Sequence, residues 1–111
     1  MAYNEKTFTQ GSALTNAAAT YYTVGPTVIK AIVKEMVFCN TSVNPETVTL
    51  YMIPNGGSLG VASTQFKQLS LQPNETQIYG RTLVMNVGDF IQALASTAAV
   101  VSMNISGVER T

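Results

Sequence analysis

The sequence predicts an all-β fold: a single antiparallel β-sandwich or jelly roll of about eight strands, preceded by an extended N-terminal arm. Three observations carry this expectation. The chain has 111 residues, enough for one domain that buries a core without staples. Only 11% of residues are charged, and Thr, Ser, Asn and Gln fill the gap, a mix suited to strands, turns and surfaces that lose water on subunit contact. Turn signals recur roughly every 8–12 residues between alternating apolar runs, the spacing of a sandwich or jelly roll.

Residues 1–19 show no hydrophobic periodicity, and GSALTNAAAT is small and polar. They are expected to form the arm, with the sandwich domain over 20–111, so a chain lacking 1–19 is expected to fold. Tyr3 and Phe8 are aromatic on an otherwise polar segment; they are either anchors on a neighbouring subunit or incidental residues of a mobile tail. TYYTV at Thr20–Val24 reads as a short strand by residue type, and Gly25-Pro26 turns the chain.

The run from Val28 is ambiguous. Val28, Ile29, Ile32, Val33, Met36 and Val37 fall at helical spacing. Their β-branched content argues for a strand, because Val and Ile are stiff in helices. As a strand, each face is interrupted: one by Glu35, the other by Lys30 and Lys34. A bulge, or two short strands, accounts for the slips. TVTLYMIP at Thr47–Pro54 alternates cleanly as a strand, and Asn55-Gly56-Gly57-Ser58 turns after it. Phe66–Leu71, Gln77–Tyr79 and Thr82–Val87 are further strand candidates, with Gln72-Pro73-Asn74-Glu75 as a turn and Gly80 as a break. Asp89 either caps a helix through FIQALASTAAVV or belongs to a Gly88-Asp89 turn before a strand at Phe90–Ala95. Val101, Met103 and Ile105 alternate with Ser102, Asn104 and Ser106 as the last strand.

Chemistry is sparse. Net charge is zero, and four Lys and two Arg spread along the chain make no basic face for nucleic acid. There is no His to activate a nucleophile or hold zinc, and the single Cys39 precludes an internal disulfide and reads as a buried thiol. The acids lie mostly in turns or near the termini; Glu35, inside an apolar run, reads as a solvent-facing strand residue or the partner of a Lys. No enzyme, cofactor or metal site is therefore expected. The opening MAYNEKTFTQ lacks the basic-then-apolar order of a secretory leader, and no window is apolar enough to span a bilayer. The sequons at Asn40, Asn74 and Asn104 accordingly read as turn and strand chemistry. Tyr21, Tyr22, Tyr51 and Tyr79 read as half-buried strand residues or, alternatively, a stacking or interface patch. Tyr3, Phe8, Tyr21 and Tyr22 are the candidate interface residues.

Ordered motifs over about residues 20–109 resemble a group of small tailed-bacteriophage virion proteins: Ile32-Val33-Lys34, Cys39-Asn40-Thr41-Ser42, Val48-Thr49-Leu50-Tyr51, Gly88-Asp89, Ile91-Gln92-Ala93 and Ile105-Ser106-Gly107-Val108-Glu109. The chain departs from that pattern at Gly25-Pro26, where the group more often has Pro directly after Val24. The resemblance implies a phage structural protein with a β-sandwich, and strands at both ambiguous places. With the composition, it leads to the expectation of a head decoration, or cement, protein. Such a protein would bind the major capsid protein or other virion proteins, as a homo-oligomer, most plausibly a trimer, with no nucleic-acid or membrane partner. It would reside in the virion after assembly in the bacterial host cytoplasm. The alternative is a tail, collar or fibre-associated module that binds host glycans.

Overall fold

A computed structural model describes residues 3–58, 60, 61, 64–80 and 82–111; for residues 9–12 and 65–68 it describes the backbone alone. Its strands are β1 (Tyr3–Ala13), β2 (Ala19–Thr23), β3 (Lys30–Asn40), β4 (Glu46–Ile53), β5 (Thr64–Leu71), β6 (Thr76–Tyr79), β7 (Leu83–Asn86), β8 (Phe90–Ala95) and β9 (Val101–Arg110). They form two antiparallel sheets. Sheet A runs β1-β9-β3, with β6 and β7 both on the far edge of β3; sheet B runs β2-β8-β4-β5.

β7 lies opposite Lys30–Val33 and β6 opposite Met36–Cys39, so the two are one edge strand broken near Gly80. Counted so, there are eight strands among the described residues. β1 pairs β9, β2 pairs β8, β3 pairs the broken strand and β4 pairs β5. That nesting is an antiparallel ribbon rolled upon itself, a jelly roll, within the sandwich-or-jelly-roll class the sequence predicted.

The core fills the space between the sheets. Sheet A contributes Ala31, Val33, Met36, Phe38, Met103 and Ile105; sheet B contributes Val48, Leu50, Ile91, Ala93 and Ala95. These are alternate residues of their strands, as a pleat with one inward face requires. Val28–Val37 supplies the exception. β3 is a strand, and its inward positions change parity, from Ala31 and Val33 to Met36 and Phe38. The change coincides with a bulge: Val33 lies opposite Gly107 and Glu35 opposite Ser106, so one residue of β9 faces two of β3. The helix-like spacing of this run is thus a strand alternation with one extra residue.

Phe90–Ala95 is also a strand. Asp89 caps no helix: its Oδ2 accepts the Asn86 N–H at 2.8 Å and its Oδ1 the Asn55 N–H at 2.9 Å, tying two turns together. Gly88 before it takes φ 86°, which glycine adopts freely.

The arm expected over residues 1–19 is corrected by the structure. Residues 3–13 are the edge strand β1, hydrogen-bonded along β9, and Phe8 and Leu14 are buried in the core. Periodicity is missing because β1 is an edge strand with bulges after Thr7 and after Thr9, and because Tyr3–Thr7 are all exposed. An alternating pattern emerges only where one face is covered.

Candidate functional site

The four expected interface residues are not brought together. Phe8 and Tyr22 lie in the core, stacked with ring centroids 4.4 Å apart and planes 16° from parallel. They join the sheets rather than present a surface. Tyr21 is half-buried, and its hydroxyl accepts the Thr15 N–H at 3.1 Å, closing the turn between β1 and β2. Tyr3 is 63% exposed at the start of β1. Tyr51 and Tyr79 are half-buried in different sheets, Tyr79 edge-on to Phe38 at 6.4 Å, so the tyrosines form no single patch.

Beneath Phe8 sits a charged cluster. The Tyr22 hydroxyl donates to Glu109 Oε2, and Lys6 Nζ lies 3.4 Å from Glu109 Oε1. Burial, then the bond to the Glu109 carboxylate, holds the Tyr22 proton well above the usual phenol range. The cluster ties β1, β2 and β9 together: Glu109 is buried against the Tyr22 hydroxyl, and the exposed Lys6 reaches it from outside.

The opposite end of the sandwich is held by polar caps. Asn40 is fully buried; its amide donates to the carbonyls of Asn44, Leu71 and Gln72, while its Oδ1 accepts the Ser42 N–H. That sequon asparagine is therefore a turn pin, as expected from the sequence. Glu46 accepts the Ser96 hydroxyl at 2.6 Å, and hydrogen bonds from Ser96 and Thr97 hold its carboxyl below the usual carboxylate range. Both sites organise loops.

A shallow groove of about 490 Å³ crosses β1, β9 and β3 where the bulges line up, with Glu5, Lys6, Thr7, Lys34, Ser106 and Val108 around it. It brings one carboxylate and two lysines together, without a nucleophile–base pair. Among the described residues, no cluster of three or more His, Cys, Asp or Glu is placed to hold a metal.

The outward face of sheet A is the feature the sequence reading missed. Alternation sends Ile32 and Val37 outward from β3, and register places Val84 and Val108 beside Ile32, and Ile78 beside Val37. Ile78 is 63% and Val84 53% exposed. Cys39, expected to be buried, is half-buried on this same face. The signal in the sequence was the pair of slips at Lys34 and Glu35, which marked where the strand changes parity.

No family model and no curated protein matches this chain. Solved structures do resemble it. A chain in a structure of infectious bursal disease virus, Gx strain, matches 98% of this chain with a TM-score of 0.53 and 12% identity. The shared property is the fold. A chain from the Gt strain matches 97% with a TM-score of 0.44 and 10% identity. The present chain spans 32% and 30% of the lengths of those two chains.

Proposed function

We propose that this protein is a virion structural component that acts by subunit contact rather than by chemistry. The observation that supports this most is the likeness in fold to a chain of a virus structure, which covers 98% of the present chain. Composition agrees: with 11% charged residues, faces of the sandwich shed water at low penalty when packed against neighbours. The core lies between the two sheets, which leaves the outward face of sheet A for contact, and many copies of a weak contact add up by avidity.

Within that role, decoration of a head shell is the specific reading, and a bacteriophage the specific context. Small size and the ordered motifs from Ile32-Val33-Lys34 to Ile105-Ser106-Gly107-Val108-Glu109 support both. The partners are then the major capsid protein and neighbouring copies. Quantitative mass spectrometry of purified particles tests this. Hundreds of copies per particle are expected. A dozen or fewer overturns decoration in favour of a tail, collar or fibre component. Absence from particles overturns the virion reading itself.

A further inference from the structure

We infer that the outward face of sheet A is a two-fold contact with a second copy of this chain, centred on the β3 bulge. Lys34 and Glu35 stand at that bulge. A bulge places two successive residues side by side on the solvent side of a strand, and both are exposed here. They carry opposite charges, and neither forms an ion pair or side-chain hydrogen bond with any described residue. On either side of them along β3 the face turns apolar. Ile32, flanked by Val84 and Val108, lies on one side; Val37, flanked by Ile78 and by the exposed Asn104, lies on the other.

That arrangement is self-complementary. A two-fold axis lying across the strands at the Lys34–Glu35 peptide sets Lys34 against Glu35 of the second copy, and the reverse. The same rotation sets Ile32 and Val84 against Val37 and Ile78 of the second copy, and on the β9 side it places Val108 over Asn104, so the apolar match is confined to β3 and the broken edge strand. The broken edge strand serves this symmetry, because β7 and β6 supply one exposed apolar residue on each side of the break. An isologous contact needs such a patch, in which each half is the partner of the other. Charge pairs at its centre set register and orientation, while the apolar pairs supply the area.

The size is adequate. About four strands at ~4.8 Å spacing and eleven residues at ~3.3 Å give a face of roughly 700 Å², close to the ~800 Å² per partner of a stable interface. The contact goes beyond the virion reading and does not rest on it. Its symmetry is two-fold, where composition and family resemblance led to a trimer.

Sedimentation equilibrium of the whole protein tests it, with circular dichroism to verify folding of each variant. A monomer–dimer equilibrium is expected. Lys34→Glu alone sets like charges together and is expected to weaken dimerisation at least about tenfold. The double variant Lys34→Glu with Glu35→Lys regenerates both pairs with signs reversed and is expected to restore it. Ile78→Asp is expected to abolish the dimer. A monomer at every concentration, a trimer, a dimer indifferent to Lys34→Glu, or a double variant no better than the single one overturns the inference. None of these outcomes depends on copy number in particles, so the two readings fail separately.

Discussion

Gly107 has no room for a side chain. A Cβ there would overlap the Ile32 carbonyl oxygen and press on the Phe8 ring at 3.1 Å. It sits between the β3 bulge and the β1 bulge, where neighbouring backbone closes in. Gly107→Ala is expected to cost about 3 kcal/mol, read from urea unfolding midpoints, because the obstruction is backbone. Gly80→Ala, which meets nothing within 4 Å, is expected to stay within about 0.5 kcal/mol. Tyr22 makes a second residue-scale prediction. Its folded pKa is raised, so above about pH 10 the unfolded chain releases a proton that the folded chain keeps. Stability is therefore expected to be intact below that pH and to fall above it. Tyr22→Phe is expected to lose that alkaline slope and to cost about 1–3 kcal/mol at neutral pH, since Glu109 stays enclosed with one partner fewer. Unfolding midpoints at pH 8 and pH 11 check both. Neither role was legible in the sequence: Gly107 looks like any strand glycine, and Tyr22 and Glu109 lie 87 positions apart.

At the scale of elements, the bulge in β3 is a one-residue insertion that leaves every core side chain on its proper face. Deleting Lys34 would pair Val33 with Gly107 and Glu35 with Ser106 without interruption, with Ala31, Val33, Met36 and Phe38 still inward. This deletion is expected to give a folded protein that has lost the proposed two-fold contact. Deleting Val37 instead turns Phe38 and Asn40 to solvent and is expected to abolish folding, because a one-residue slip reverses a strand's faces. Near-ultraviolet circular dichroism separates the two. The loop between β8 and β9 offers a milder test. The Glu46 carboxyl is held below its usual range, so its contribution is present above about pH 4.5 and is lost as pH falls. Ser96→Ala, which removes the strongest cause, is expected to lessen the acid-side loss of stability, seen in melting temperatures at pH 3 and pH 7. The strand pieces of β2, β4, β5, β6, β7 and β9 were readable from turn residues and alternation, whereas β1 read as an arm and β3 and β8 read equally as helix or strand. The parity change was visible only as a conflict between residue type and spacing, and pairing with β9 resolved it.

For the whole molecule, the decisive matter is what residues 1–19 are. Phe8 stacks on Tyr22, Leu14 is fully buried, and β1 covers one edge of β9. Removing 1–19 would open the core and expose the long β9 edge, a template for aggregation. The truncated chain is therefore expected to be unfolded or aggregated, in contrast to the folded domain expected from sequence. Phe8→Ala alone is expected to cost about 3–5 kcal/mol by chemical denaturation. A loss below about 1 kcal/mol would mean that β1 behaves as an arm after all.

The sequence by itself determined the class of the fold: low charge, β-branched and Thr-rich runs, and regular turns point to an antiparallel sandwich or jelly roll, while the order of its strands came from tertiary pairing. It also placed most strands, because alternation and turn chemistry are local. Tertiary structure alone decided the rest. Whether Phe8 anchors a neighbour or fills the core depends on β9, about a hundred residues away in the chain. Whether Lys34 and Glu35 are defects or the centre of a face depends on which strands lie beside β3. Such questions are settled by cross-strand register, and register is a property of pairs of segments that no single stretch of sequence contains.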